Sequence, residues 1–269
     1  MNHATWPARI LMLLVAILIV VAIRRAQSGT EYRIRRIAGL SAIEEAVGRA
    51  IEMGRSVLLS TGLGGVDVIT LQAVAICTSI ARQVARFGGK VKLPIYTAAL
   101  FPLVEESVGQ VYADAGRSDA FEASDMPFFA GQQFAYAAGV SGLIHREKPA
   151  ATFYFGMFYA ESLILAENAM QVGAIQVAGT PSTTQIPFFI AACDYVIIGD
   201  EYYAATAYIT RQPTLLGSIV GQDRVKMLLL ILVFVGVILA LFGIPLVSNL
   251  MGKEDLPFAA YFAAAGGKK

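Results

Sequence analysis

The sequence predicts an α/β domain, a Rossmann-like or flavodoxin-like parallel sheet of about five strands inserted between two transmembrane helices. Three observations predict it. Short apolar runs alternate with longer helical patterns through the middle of the chain, and strands apolar on both faces and separated by helices belong to a parallel sheet covered on both sides. No repeat or low-complexity linker divides that middle, so its roughly 200 residues read as one domain. Each end carries a long stretch almost free of charge, in keeping with 56% hydrophobic and 15% charged residues among 269 and a mean hydropathy of +0.61.

The first of these stretches, ILMLLVAILIVVAI at residues 10–23, is bounded by Arg9 and Arg24. Residues 4–8 lengthen it while Arg9 snorkels to the surface. A cleaved signal peptide would need a basic start and a small-residue cleavage site. Here the positive charge follows the apolar run, as Arg24 and Arg25, which favours a retained anchor. The domain then opens with SAIEEAVGRAIEMG, where Ser41 and Glu44 have the spacing of a capping box and Gly54 is a natural terminator.

Strands are expected at residues 56–60, 91–96, 151–155, 174–178 and 195–198. Helices are expected at 68–87, 100–115, 131–146, 158–172 and 183–192. Two helical segments separate the second strand from the third, which permits a long crossover and the strand order 2-1-3-4-5. The second membrane stretch, MLLLILVFVGVILALFGIPLV at 227–247, contains no ionisable residue. As a helix rising about 1.5 Å per residue it covers roughly the 30 Å of a bilayer core. The boundaries that follow are an anchor at 1–24, the α/β domain at 25–225, the second helix at 226–248 and a tail at 249–269. In the tail, Phe258, Tyr261 and Phe262 suit the outer membrane surface.

Basic residues set the orientation, because cytoplasmic flanks carry the excess of Lys and Arg. Arg24, Arg25, Arg33, Arg35 and Arg36 follow the first helix and Arg211, Arg224 and Lys226 precede the second, whereas only Arg9 and Lys253 lie close to the opposite ends. The central domain is therefore expected in the cytoplasm with both termini outside. Cys77 and Cys193 fit as buried thiols in a reducing compartment. A net charge of +1 advertises no nucleic-acid partner.

In a doubly wound sheet the ligand crevice lies at the carboxyl ends of the strands, near the switch point. The loops at 61–67, 155–161 and 179–185 converge there, offering Thr61, Gly62, Gly64, Gly65, Asp67, Gly156, Glu161, Thr180, Ser182 and Thr183 as candidate ligand-binding residues. The first loop reads Gly62-Leu63-Gly64-Gly65-Val66-Asp67, so a carboxylate stands where a dinucleotide fingerprint has its last glycine. The second strand also lacks a terminal acid for a ribose. Asp67 is better explained as a helix N-cap, where its charge would repel a phosphate. The turn is a structural corner first and a nucleotide cradle only as the alternative, and no cofactor is expected.

The other candidates have plain structural readings beside them. AGTPSTTQ offers hydroxyls to a small anion, but Ser182 and Gln185 also have capping-box spacing. Asp67, Glu161, Asp200 and Glu201 would form a metal site only if their loops met. His145 ends a helix, where a positive ring suits the dipole. GVSGL lies inside a helical pattern and is no nucleophile elbow. Two cysteines and two histidines make no zinc constellation. No catalytic residue and no metal site is expected.

Aromatic residues crowd FYFGMFYAES and EYYAATAY. Such residues are usually core, but aromatic clusters also mark subunit contacts. Phe153, Tyr154, Phe155, Phe158, Tyr159, Tyr202, Tyr203 and Tyr208 are the interface candidates, joined in the second membrane helix by the small residues Gly236, Ala240 and Gly243.

The strings AIEEAVGRAIEMGR, QQFAYAAGVSG, REKPAATFYFGMFYAESLILAE, GAIQVAGT and IPFFIAACDYVIIGDEYYAATAY resemble an uncharacterised bacterial family of membrane-anchored proteins carrying a domain of unknown function. The similarity runs through nearly all of residues 41–240. It implies the same anchored α/β domain and brings no catalytic or binding residues; separately, the two anchors are expected in the inner membrane of a bacterium. The functional expectation is a non-enzymatic structural or assembly subunit whose partners are the lipid bilayer and either further copies or other membrane subunits, with no nucleic acid. The alternative is a small-molecule or nucleotide-binding sensor or enzyme using the crevice. A transporter is disfavoured, since two helices without intramembrane charge make no ion path alone.

Overall fold

The computed structural model describes residues 6–29, 38–129 and 131–241. Nine α-helices and five β-strands occur among them, in the order α1 (Trp6–Gln27), α2 (Ala38–Glu52), β1 (Val57–Gly62), α3 (Val68–Arg86), β2 (Val91–Lys92), α4 (Phe101–Asp114), α5 (Gln133–Glu147), β3 (Ala151–Met157), α6 (Glu161–Gln171), β4 (Ile175–Thr180), α7 (Ile186–Ala192), β5 (Tyr195–Ile198), α8 (Glu201–Thr210) and α9 (Pro213–Leu241). Two compact units divide the chain. Arg33–Gln212 forms one, and Met1–Tyr32 together with Pro213–Lys269 forms the other.

In the larger unit all five strands run parallel in the order β2-β1-β3-β4-β5. This is the doubly wound arrangement the sequence predicts. The central strand β3, ATFYFGM, is rich in the aromatic and branched residues that suit a pleated sheet. Its side chains feed two cores. Phe153 and Phe155 join the layer containing residues of α2, α3, α4 and α8, while Tyr154 joins the layer containing residues of α5, α6 and α7. Gly39 lets α2 lie against Ile197 of β5, since a Cβ there would sit 2.5 Å from its side chain.

Two local expectations change. Helix α2 begins at Ala38, so Ser41 lies inside it and no Ser41–Glu44 box caps its start. The buried Leu40 extends the apolar face of Ile43 and Val47 upstream of that serine. Gly54 does end the helix region, with φ +61. Strand β2 is shorter than its apolar run because Pro94 has no N–H to offer β1. Leu93 and Ile95 turn theirs the other way, donating to Asp125 O at 2.8 Å and Pro127 O at 2.9 Å, and Phe129 N–H returns a bond to Ile95 O at 3.0 Å. Lys92 Nζ pins the same segment through Asp125 Oδ1 at 2.7 Å. The long crossover thus walls off the outer side of β2.

In the smaller unit, α1 and α9 pack together antiparallel. Gly217 and Gly221 make this possible, for a Cβ on Gly217 would lie 2.6 Å from Ile23 Cα and one on Gly221 would lie 3.1 Å from Ile19 Cα. Ala22 and Ala26 are the buried small residues facing them. This is close packing at small residues, the kind that joins helices in lipid. Helix α9 starts at Pro213, well before the apolar run expected from residue 227. The packing glycines therefore lie below the run in which Gly236, Ala240 and Gly243 were the candidates. Gly236 is half-buried. Gly243 and the tail lie outside the described residues, as does the side chain of Ala240.

By length and composition two described helices could span a membrane, Arg9–Gln27 with 11% of its window buried and Val68–Arg86 with 50%. The second of these is α3, whose buried residues include Ile76, Cys77, Ile80 and Val84. It is a core helix of the α/β unit.

Candidate functional site

The switch point lies between β1 and β3, since the chain leaves β1 for β2 on one side and β3 for β4 on the other. A crevice there requires the loops after the two strands to part. They do the opposite. Leu63 N–H donates to Met157 O at 2.7 Å, carrying the pairing one residue past the end of β1 against the last residue of β3. Gly62 has φ +73 and a Cβ on it would stand 2.1 Å from Met157 O; Gly156 has φ +122 and its Cβ would stand 2.3 Å from Thr61 O. Each glycine lets its own loop press against the other's carbonyl. The close approach these residues permit is backbone to backbone.

The rest of the first loop is also occupied by the chain itself. Asp67 caps α3, its Oδ1 accepting Thr70 N–H at 2.7 Å, as its position predicts. A Cβ on Gly64 would meet Thr70 Oγ1 at 2.1 Å, and Thr97 Oγ1 donates to Gly64 O at 2.8 Å. Gly65 alone of the loop's three glycines has open space around it. Thr61 is buried beneath.

The start of α5 fills the space above β1 and β3. Tyr136 is fully buried, its hydroxyl 2.9 Å from Ser60 Oγ and donating to Pro94 O at 3.4 Å. Tyr96 and Phe129 stand edge-on to its ring at centroid distances of 5.6 Å and 6.4 Å. Burial pushes the Tyr136 phenol up, partly offset by the Ser60 hydroxyl. It is a neutral structural group.

Glu161 is a fully buried acid at this end of the sheet. Its Oε1 accepts Tyr159 N–H at 2.8 Å and its Oε2 accepts Gln133 Nε2–H at 2.7 Å. Burial raises its carboxyl above the ordinary value, and the hydrogen bonds from Tyr159, from its own backbone and from Gln133 oppose that rise. Both oxygens have partners, so the acid ties α5 to the start of α6. Sequence reasoning missed Gln133 and Tyr136. Their partners lie far along the chain, and only their place early in a helix near the strand ends hinted at the role.

The third loop keeps to itself. Thr180 is buried and its Oγ1 accepts Ser182 N–H at 3.2 Å; Ser182 Oγ and Thr184 Oγ1 are 2.9 Å apart. Thr183 is exposed. The expected capping box does not form, because α7 begins at Ile186 with Gln185 as its N-cap in helical conformation. The Gln185 amide turns inward instead, accepting Ser162 Oγ–H at 3.3 Å. His145 ends α5 with Nε2 2.7 Å from Asn168 Oδ1. Among the described residues no group of three or more His, Cys, Asp or Glu is placed to hold a metal ion.

Most of the aromatic interface candidates are core. Phe153, Tyr154, Phe155, Phe158 and Tyr202 are 0% exposed, so they are closed to a second subunit. Their rings pack on one another and on Phe189, with Tyr154–Phe189 stacked at 6.0 Å and Phe158–Phe189 edge-on at 5.3 Å. Their hydroxyls find partners inside the chain, Tyr154 at Leu165 O and Tyr202 at Ile69 O. Tyr159 is exposed, and Tyr203 and Tyr208 are half-buried. A cavity of about 260 Å³ opens elsewhere, between α2, α3 and α8, lined by Ile43, Glu44, Gln83, Tyr208 and Arg211 among others.

Fold and site together define a doubly wound α/β domain whose switch point is closed by its own backbone, joined in one chain to a glycine-packed helical hairpin. The chain belongs to the family of the domain of unknown function DUF6754, whose model matches residues 1–251. No curated protein and no solved structure matches it.

Proposed function

We propose that the protein is a membrane-anchored, non-enzymatic assembly subunit that self-associates or joins a larger membrane complex. The observation that carries this reading is the closure of the switch point, where an α/β fold takes its ligand. In this protein that place is filled by the bond from Leu63 to Met157 and by the Tyr136 ring. A nucleotide or other small molecule bound there would have to displace both. The hairpin supports the anchoring half of the reading, since the outer face of α1 exposes Ile10, Leu13, Ile17 and Val20. Such a face belongs in lipid or against protein.

In this reading the hairpin sits in the inner membrane of a bacterium with both termini outside and the α/β unit in the cytoplasm, as the excess of Arg at residues 24–36 and at Arg211 favours. Cysteines placed at Glu122 and Lys148 and probed with an impermeant reagent on intact cells test the orientation; labelling from outside refutes it. Measuring native mass and subunit composition after extraction in mild detergent tests the function. A lone monomer without a partner refutes it.

A further inference from the structure

The register of the hairpin sets two unlike surfaces at one depth. Gly217 lies on Ile23 and Gly221 on Ile19, so α1 steps back one residue for each residue forward on α9. The buried seam follows this register, running through Gly217, Gly221 and Val225 on α9 and through Ala22 and Ala26 on α1. Continuing at the common helical rise, Asp223 stands level with Ile17 and Arg224 with Ala16. These are the middle of the apolar run at 10–23.

At that level α1 turns Ile17 outward, 52% exposed, with Val20 at 49% and Val21 at 43% one turn away. Helix α9 turns Gln222, Asp223 and Arg224 outward on its own side. A single medium suits only one of these faces. If lipid surrounds the hairpin, a carboxylate and a guanidinium are left in hydrocarbon, which charged side chains avoid by facing a bundle interior or one another. If water surrounds it, the aliphatic row of α1 is bare. Both surfaces are accommodated when α1 faces lipid and α9 faces protein.

Resting on the self-associating membrane reading above, we propose that α9 is the inner helix of the assembly and that its partner at this level is α9 of a second copy. Copies anchored the same way up present Asp223 and Arg224 at matching depth. Adjacent residues of opposite sign form a self-complementary pair across a two-fold axis, Asp223 of each copy against Arg224 of the other. No other chain is needed to neutralise them.

The test is cysteine cross-linking of the full chain in native membranes, which leaves both charges in place when Gln222→Cys is compared with Ile17→Cys. Gln222→Cys is expected to give cross-linked dimers and Ile17→Cys at least tenfold less. Asp223→Arg and Arg224→Asp, each in the Gln222→Cys background, are expected to lower the dimer yield several-fold, and the two together to restore it. Tyrosine circular dichroism confirms that each variant keeps its α/β unit folded. A protein of multiple-copy mass that cross-links through Ile17 and not through Gln222 overturns this inference and leaves self-association standing. Cross-linking through Gln222 that the charge reversals do not change overturns the Asp223–Arg224 pairing. A strict monomer overturns both this inference and the proposed function.

Discussion

Replacing Gly156 by alanine tests whether the glycines at the switch point serve the fold or a ligand. The residue sits at φ +122, and its added Cβ would stand 2.3 Å from the backbone carbonyl of Thr61. Holding a non-glycine residue in that region costs about 1–3 kcal/mol. The carbonyl belongs to a buried strand end and cannot swing aside as a side chain would, so the two loops must separate. Separation breaks the 2.7 Å bond from Leu63 N–H to Met157 O, worth about 1 kcal/mol net. The total is about 3 kcal/mol, a large share of the roughly 5–15 kcal/mol that holds a typical domain folded.

For a domain of this size, such a loss lowers the melting midpoint by about 10 °C. The assay is thermal or urea unfolding of the full chain in mild detergent, followed by tyrosine near-ultraviolet circular dichroism. The single tryptophan, Trp6, lies in α1 and is silent on the α/β unit. Gly65→Ala is the control, because nothing lies within 4 Å of its Cβ position, and it should stay within about 0.5 kcal/mol of the parent. A Gly156→Ala protein as stable as the parent, or a Gly65→Ala protein equally weakened, refutes the reasoning.

Three further outcomes are expected. Because burial raises the Glu161 carboxyl above its ordinary value, the folded state holds that proton more tightly than the unfolded one. Its stabilising effect is complete below the unfolded value of about 4.5 and is lost as pH climbs through the folded value. Glu161→Gln, whose amide Gln133 can still meet by turning its own, should therefore gain on the parent as pH rises through that window; a gap that stays constant with pH refutes the assignment. The thiols of Cys77 and Cys193 are both pushed up to about 12, Cys77 by burial and Cys193 by burial with help from Asp194, so pulsed alkylation at pH 8 should label neither until the protein unfolds. Rapid labelling of the native protein contradicts this. Gly217→Leu with Gly221→Leu should part the hairpin, abolishing an intrachain cross-link between cysteines placed at Val15 and Val225; retention of the cross-link rules out the packing described.

The sheet was legible because its signals are local. Alternating apolar runs, the spacing of two helices between β2 and β3, and an acid two residues after Gly65 each report on structure within a few residues. The N-cap at Asp67 followed from them directly, and they permitted the strand order that forms without requiring it. The aromatic residues were harder to place. Whether Tyr202 faces a partner or the core depends on Ile69, 133 positions away, whose carbonyl takes its proton. Nothing near Tyr202 in the chain carries that information. The hairpin contact escaped notice for a related reason, since an apolar run marks where lipid suits a helix and not where another helix touches it. The pairing glycines lie among residues too polar to draw attention, in TLLGSIVGQDR. At the switch point the glycines were visible but their purpose was not. A glycine that admits a phosphate and one that admits a neighbouring carbonyl read the same until both loops are seen together.

The segment that bonds to Leu93 and Ile95 also guards that rim of the sheet. A sheet with two bare rims can polymerise without end, each molecule templating the next into a fibre. Here the rim beside β2 is already taken by the molecule's own chain, so templated growth cannot start there.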